Sequence, residues 1–334
     1  MINSLLENMM SLINKNDYYI VFNDGKPIRL NLPEEITVEV NNFFSANEYT
    51  KNADTKETDE ITKNARFAPT IDISINADIK IIHLNKKEAY IDYHIICAEN
   101  KKINITNIYY KVTNKAKIKM DIVCKDASCV RIKNITNAYD DLNMYIRSFC
   151  MQSSSLQLDD LVISDKIVNY YSAVYLVDEK SFCNMNNIIL NTTNKTQNFN
   201  YYIIHNTENT ESHINTYGVA KNDSHLVVNC CGRILSNAKN SKMYQKTKGL
   251  IMDLTSSIIS TPILEIDENE VIAYHGAAIG ALDEDELYYL MSRGLPKEES
   301  ERLILNTYIA PFYSDIKDQA ILDHINEEVK IQLG

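Results

Sequence analysis

Residues 261–294 read TPILEIDENEVIAYHGAAIGALDEDELYYLMSRG, and the chain changes character within them. Up to Gly280 the apolar residues come in short β-type runs; after Asp283 they recur at helical spacing. Pro262 to Ile266 predicts a strand, with Ile263 and Glu265 on one face and Leu264 and Ile266 on the other. Asp267-Glu268-Asn269 is a polar turn, and Val271 to Tyr274 resumes extended chain. His275-Gly276-Ala277-Ala278 is small and tight, a place for close backbone approach beside one reactive side chain. Asp283, with Glu286 three residues on, marks a helix start, and Gly294 after Arg293 marks its end.

Downstream the pattern stays helical. Leu287, Leu290 and Met291 form the apolar stripe of the first helix. Pro296 suits the first turn of a second, with Leu303, Ile304, Thr307 and Tyr308 on its buried side and Pro311 kinking or ending it. Ile316, Ala320, Ile321, His324, Ile325 and Val329 predict a final amphipathic helix. So few helices cannot form a core of their own; they must pack on the β region or on a partner.

Upstream, from Ala68 to Gly280, the texture is uniform. Short β-type runs recur, among them Ile71–Ile82, Ala89–Ile96, Ile118–Cys124, Leu161–Val168, Tyr201–His205 and His225–Val228, separated by Asn, Lys, Asp and Thr. Glycine and proline number only 8 and 6, so hairpin turns are scarce; Asn23-Asp24-Gly25 is the nearest to one. Many short strands without hairpins fit a sandwich or a solenoid, and with no clean repeat the residues leave both open. Residues 17–40 add strands, 45–65 read as a polar surface connector, and Met1–Asn16 as a short helix packed on the domain. The expected division is 1–66 for an N-terminal helix, short strands and connector, 67–280 for the β core, and 281–334 for a helical subdomain.

A chain of 334 residues, 45% hydrophobic, can bury a sizeable core. Its net charge of −11 opposes both a phosphate backbone and an anionic headgroup surface, so neither nucleic acid nor membrane is an expected partner. No apolar run is long enough to span a bilayer, and the N-terminus carries Glu7 and lacks a basic leader. Seven cysteines, an odd number, fit reduced thiols and a cytoplasmic location. Neither a G-x-x-x-x-G-K-[ST] phosphate loop nor a G-x-S-x-G elbow occurs, so the chain is not expected to be an enzyme, and any ATP-linked work must come from a partner.

Leu264-Glu265-Ile266, Asn269-Glu270-Val271 leading to His275-Gly276-Ala277, Leu287-Tyr288-Tyr289-Leu290 and Ser292-Arg293-Gly294-Leu295 together resemble the SufB/SufD family of iron–sulfur cluster assembly proteins. The resemblance runs on through Pro296-Lys297-Glu298-Glu299 and Ala310-Pro311-Phe312 and covers about the last third of the chain. More weakly, it reaches back to Gly218-Val219-Ala220-Lys221, Gly232-Arg233-Ile234 and Tyr244-Gln245. It is similar to the SufD branch, because the SufB pattern sets an acidic residue after the histidine and here that residue is Gly276. Ala273 stands where some SufD members carry a cysteine. The resemblance implies a mainly β fold, a right-handed parallel β-helix with a C-terminal α-helical subdomain.

On the residues alone His275 has metal-ligand capacity, though a structural turn histidine is the plainer reading. The resemblance implies that it lies where a SufD-like chain meets a SufB-like one and a nascent cluster forms. It also implies that the C-terminal helices grip a SufC-like ABC ATPase, making Leu287, Tyr288, Leu303 and Tyr308 the partner-binding candidates. No cofactor is expected to be firmly bound; an iron–sulfur cluster would be held only transiently, in the complex. Cys124 with Cys129, and the adjacent Cys230 and Cys231, fall short of the four ligands a cluster needs and read as core thiols. The other histidines show no close metal-ligand spacing and read as structural. The expected function is a non-catalytic SUF scaffold subunit pairing with a SufB-like chain, or alternatively a homodimer working with the ATPase alone. A β-helix acting on acidic polysaccharide fits poorly with an acidic chain lacking tryptophan, and a self-assembling structural solenoid fits poorly with helices after the last strand.

Overall fold

The computed structural model describes residues 9–40, 48–49, 55–112, 114–313 and 316–333. It is 53% strand and 17% helix, a β-solenoid of about eight turns followed by helices. The N-terminal part holds β1 (Tyr18–Asn23), β2 (Lys26–Asn31), β3 (Ile36–Glu39), α1 (Lys56–Asn64), β4 (Thr70–Ile73), β5 (Ala77–Leu84) and β6 (Ala89–Cys97). Then come β7 (Lys102–Val112), β8 (Ala116–Cys124), β9 (Cys129–Ala138), β10 (Leu142–Cys150), β11 (Ser155–Ser164), β12 (Val168–Leu176) and β13 (Phe182–Asn191). The last strands are β14 (Thr196–His205), β15 (Glu211–Ala220), β16 (His225–Ile234), β17 (Lys242–Ile251), β18 (Ser257–Ile266) and β19 (Ile272–Ala281). Three helices follow: α2 (Glu284–Ser292), α3 (Lys297–Tyr313) and α4 (Gln319–Leu333).

From β5 onward, odd strands stack in one sheet and even strands in the other, each pairing in parallel with the strand one coil away. Two facing strands and two corners make a coil. The sandwich alternative, with its antiparallel pairs, is thereby set aside; antiparallel pairing is confined to β1 with β2 and β3 with β4. Stacked partners lie 26 residues apart at Asn143 and Asn169 but 29 at Asn169 and Asn198, and 32 at His225 and Ser257. The coil lengthens along the rod, which explains why no fixed repeat is visible in the sequence.

The corners work without glycine. Asn100, Ala127, Ser153, Lys180, Asn209 and Asn240 sit at the same corner of successive coils, each left-handed with φ between 52° and 60°. Their N–H groups bond across to the next coil, as in Ala127 N to Gln152 O (2.8 Å) and Ser153 N to Glu179 O (2.9 Å). Asparagine tolerates this conformation; alanine and serine hold it with their backbone N–H groups satisfied by the stacked coil.

One core fills the space between the sheets. A second lies on the outer face of the odd sheet, where Ile82, Ile108, Ile135, Leu161, Ile188 and Val219 meet Ile304, Leu305, Ile309 and Phe312 of α3 and Ile321, Ile325 and Val329 of α4. Odd strands are thus buried on both faces towards their ends, and unbroken runs such as Leu161-Val162-Ile163 follow from that. Met9 and Leu12 join this second core, while Leu5 and Leu6 of the expected N-terminal helix lie outside the described residues.

One expectation is corrected and another narrowed. Within the supposed connector 45–65, residues 56–64 form α1, with Thr55 and Thr58 closing a capping box; residues 45–47 and 50–54 lie outside the described residues. Its docking is largely polar, through Lys117 to Glu60 (2.8 Å) and Lys119 to Thr62 (2.6 Å) with Thr58 and Ile61 buried, so apolar periodicity gave no sign of it. Of the two outcomes expected at Pro311, a kink or an end, the helix does not end there, since α3 runs on to Tyr313. Among the described residues no helix is long and apolar enough to cross a membrane.

Candidate functional site

Strands β18 and β19 are the last of their sheets, each hydrogen-bonded on one side only. Side chains alternate along β19, and its register with β17 sets Tyr274 beside Tyr244 and His275 beside Gln245. Gln245 faces the core, 5% exposed. His275 shares that core-facing side, yet it is exposed, because no coil follows. The imidazole stands at the open mouth of the solenoid.

Gln245 is fixed from below and across. Its Nε2 donates to Ile263 O on β18 (3.1 Å), tying the two sheets together under the histidine. Gly232 on β16 makes room for it: a Cβ there would fall 1.9 Å from Met243 Sδ and 2.6 Å from Gln245 Nε2. Gly276, by contrast, has nothing within 4 Å of where a Cβ would be, so within this chain the expected close backbone approach beside His275 does not occur.

The outer side of the same end carries a row of rings, His213 on Tyr244 (4.8 Å) and Tyr244 on Tyr274 (5.8 Å), ending at Tyr274, 63% exposed. Ile263 and Ile272 are also exposed on this outer side, and Ile266 and Ile279 on the core-facing side. The end of the solenoid thus presents two unpaired strand edges together with exposed apolar side chains.

The helical candidates divide. Tyr288 (74% exposed) and Leu303 (48%) face outward, whereas Leu287 and Tyr308 pack against the second core. No residue of α2 is fully buried; the helix lies beside α3 and rests Leu287 and Leu290 against the second core. Asp283 caps it, accepting from Asp285 N (2.9 Å) and Glu286 N (3.2 Å), and Gly294 turns the chain at φ 94°.

Of the cysteines, Cys129 is exposed and the other six are buried. A hydrogen bond with Cys150, then burial, pushes the Cys124 thiol up, and burial pushes up those of Cys230 and Cys231, which disfavours the thiolate a cluster would need. Sequence reading missed that Cys97, Cys124 and Cys150 stack in register on successive coils. Only the drifting coil length hid this.

It also missed Asp92, His94 and Asp121, whose ligand atoms lie within 4.8 Å of one another beneath α1. The neighbours decide what they are. Lys119 Nζ donates to Asp92 Oδ2 (3.1 Å) and lies 3.4 Å from Asp121 Oδ2, and Arg147 grips Asp121 through Nε (2.6 Å) and Nη2 (2.9 Å). Two cations already balance the two carboxylates, so a metal ion would have to displace Lys119; the group is a buried ion network. His205 is structural too. Its ring is held between Thr210 (2.6 Å) and Ser212 (2.7 Å), and burial lowers its pKa to about 3. Around His275, among the described residues, no group of three such side chains forms.

The family model for the SufBD core domain of SUF-system iron–sulfur cluster assembly matches residues 81–308. The iron–sulfur cluster assembly protein SufD of Bacillus subtilis is 32% identical over 166 residues, half of this chain and 37% of that protein. A SufBD family protein of Staphylococcus aureus is 24% identical over 214 residues, 64% of this chain and 46% of its own length. One of Mycobacterium bovis is 22% identical over 232 residues, 69% of this chain and 27% of its own. The chain thus spans less than half the length of these curated relatives. With the family match covering most of the solenoid and the helices that follow, the chain belongs to the SufBD family of iron–sulfur cluster assembly proteins, on its SufD-like branch.

Proposed function

We infer that the chain is a non-catalytic scaffold subunit of the SUF machinery, working in the cytoplasm. It pairs through β18 and β19 with a SufB-like chain and meets a SufC-like ABC ATPase through its C-terminal helices. The observation that carries this reading is the position of His275, core-facing by register but uncovered at the mouth of the rod. A second rod docked there would turn an exposed imidazole into an enclosed one. With His275 as this chain's ligand, a cluster assembled at the junction would take its other ligands from the partner. The cluster is cargo, not a resident cofactor.

On the ATPase side, exposed Tyr288, Tyr289 and Leu303 supply an apolar surface on α2 and α3. Motion of the ATPase would be passed through α3 and α4, which lie directly on the odd sheet. Co-expression with a SufB-like chain and a SufC-like ATPase tests the reading. A stable ternary complex whose cluster yield falls with His275→Ala supports it, and a chain that stays alone with both partners present overturns it. Should the chain purify as a dimer without a SufB-like partner, the homodimeric alternative takes over, with two copies presenting His275 to each other across the same end.

A further inference from the structure

A row of polar side chains runs through the solenoid interior at one register position: Asn107, Asn134, Asp160, Asn187, Thr216 and Thr247, all buried. Its bonds have a direction. His83 Nε2 donates to Asn107 Oδ1 (2.9 Å), Asn107 Nδ2 to Asn134 Oδ1 (2.9 Å), and Asn134 Nδ2 to Asp160 Oδ1 (2.6 Å). Beyond Asp160 the row resumes with Asn187 Nδ2 donating to Thr216 Oγ1 (3.2 Å), and Cys230 Sγ lies 3.8 Å from Thr216 Oγ1 and 3.9 Å from Thr247 Oγ1, where either atom can donate.

The break falls between register partners. Asp160 Oδ2 and Asn187 Oδ1 are both buried and both without a partner. Were Asp160 ionised, two acceptors would face each other in the core, a cost that the bond from the Tyr170 phenol offsets only in part. We propose that Asp160 is carried as the neutral acid, and that its proton, donated from Oδ2 towards Asn187 Oδ1, joins the two halves of one hydrogen-bonded column.

The surroundings agree. From β12 and β14 the phenols of Tyr170 and Tyr201 face the carboxyl; Cys183 on β13 and Tyr109 on β7 are the other titratable groups near this cluster, and all are neutral near pH 7. Among the described residues no cation is paired with it: Lys133 and Arg131 are turned to Asp159 on the outer side of the sheet (3.1 and 3.8 Å). Turning the Asn187 amide round would let it donate to an ionised Asp160, but would leave a buried charge uncompensated. Burial, with Asp159 adding repulsion against the bonds from Asn134 and Tyr170, raises the Asp160 pKa to about 7. The folded value lies above the unfolded one, so stability is complete below about pH 4 and is lost as pH rises to about 7, beyond which it levels off. The column ends at Thr247, the register partner of Ala277 on β19.

Carbon-13 NMR of the aspartate carboxyls in the full chain, with Asp160→Asn as comparison, tests this. One carboxyl is expected to remain protonated at about pH 6, to ionise with a midpoint near 7, and to be missing from the variant. Asparagine can make both bonds of the neutral acid. The folding equilibrium constant of the wild type, relative to the variant, should therefore fall about tenfold per pH unit between about 4 and 7. Aspartates all ionised at about pH 6, or parallel stability profiles, would overturn the proposal. If Asp160→Asn does not fold, the wild-type spectrum alone decides.

Discussion

Gln245 and His275 are register partners on adjacent strands, one sealed in the core and the other at the surface, and the only difference between their positions is that a coil lies above the first. The support for the imidazole is therefore the ordinary interior of the rod, and the site is made by stopping.

Removing the imidazole should leave the fold alone. His275→Ala is expected to change unfolding stability by no more than about 0.5 kcal/mol in a denaturant titration, since an exposed side chain is lost. Cluster formation in the presence of partners should fall. A large stability loss would mean that the ring is structural.

Disturbing its support should do the reverse. Gly232→Ala drives a methyl into Met243 and Gln245 and is expected to cost about 1–3 kcal/mol, read from the denaturant midpoint. An unchanged midpoint would show that Gln245 is not tightly held.

The corners can be improved. Ala127 holds φ 52°, a conformation costing an L-residue about 1–2 kcal/mol, and glycine gives back part of that gain through its freer unfolded chain. Ala127→Gly is expected to stabilise by about 0.5–1 kcal/mol, measured by thermal or denaturant unfolding.

Under α1, burial alone would raise the Asp121 carboxyl, but Arg147, His94 and Lys119 together outweigh it and hold it well below the usual carboxylate range. The stability this supplies is present above about pH 4 and is lost as pH falls further, because the unfolded carboxyl takes its proton first. Arg147→Met is expected to cost about 3–5 kcal/mol near neutrality by leaving Asp121 under-compensated. It should also flatten the acid limb of the stability profile, and an acid limb identical to wild type would exclude Asp121 as its source.

Thiol labelling offers a simple check of the interior. Cys129 should react quickly in the native protein, with Cys97, Cys124, Cys150, Cys183 and Cys230 reacting only on unfolding. Fast labelling of a second of these thiols would contradict the packing.

The helices after Asp283 were legible because their signals are local: an N-cap aspartate, a glycine past the end, and apolar residues at helical spacing. Strand content was legible for the same reason, though not completely. Strand β17, KMYQKTKGLI, hides behind outward lysines and an inward glycine, and β10 and β15 behind polar side chains that face one another across coils. Polar docking concealed α1, and corners built on alanine, serine and lysine removed the glycine signal that usually marks a turn.

By itself the sequence determined that this chain is rich in short strands, ends in helices and presents a histidine in a small-residue strand, because hydrophobic period and capping act between near neighbours. Only the tertiary structure decided which residues stack. Each coil adds its own number of corner residues, so the partners of Asp160, Cys124 or His275 are fixed by accumulated register, a sum along the whole rod that no local window contains.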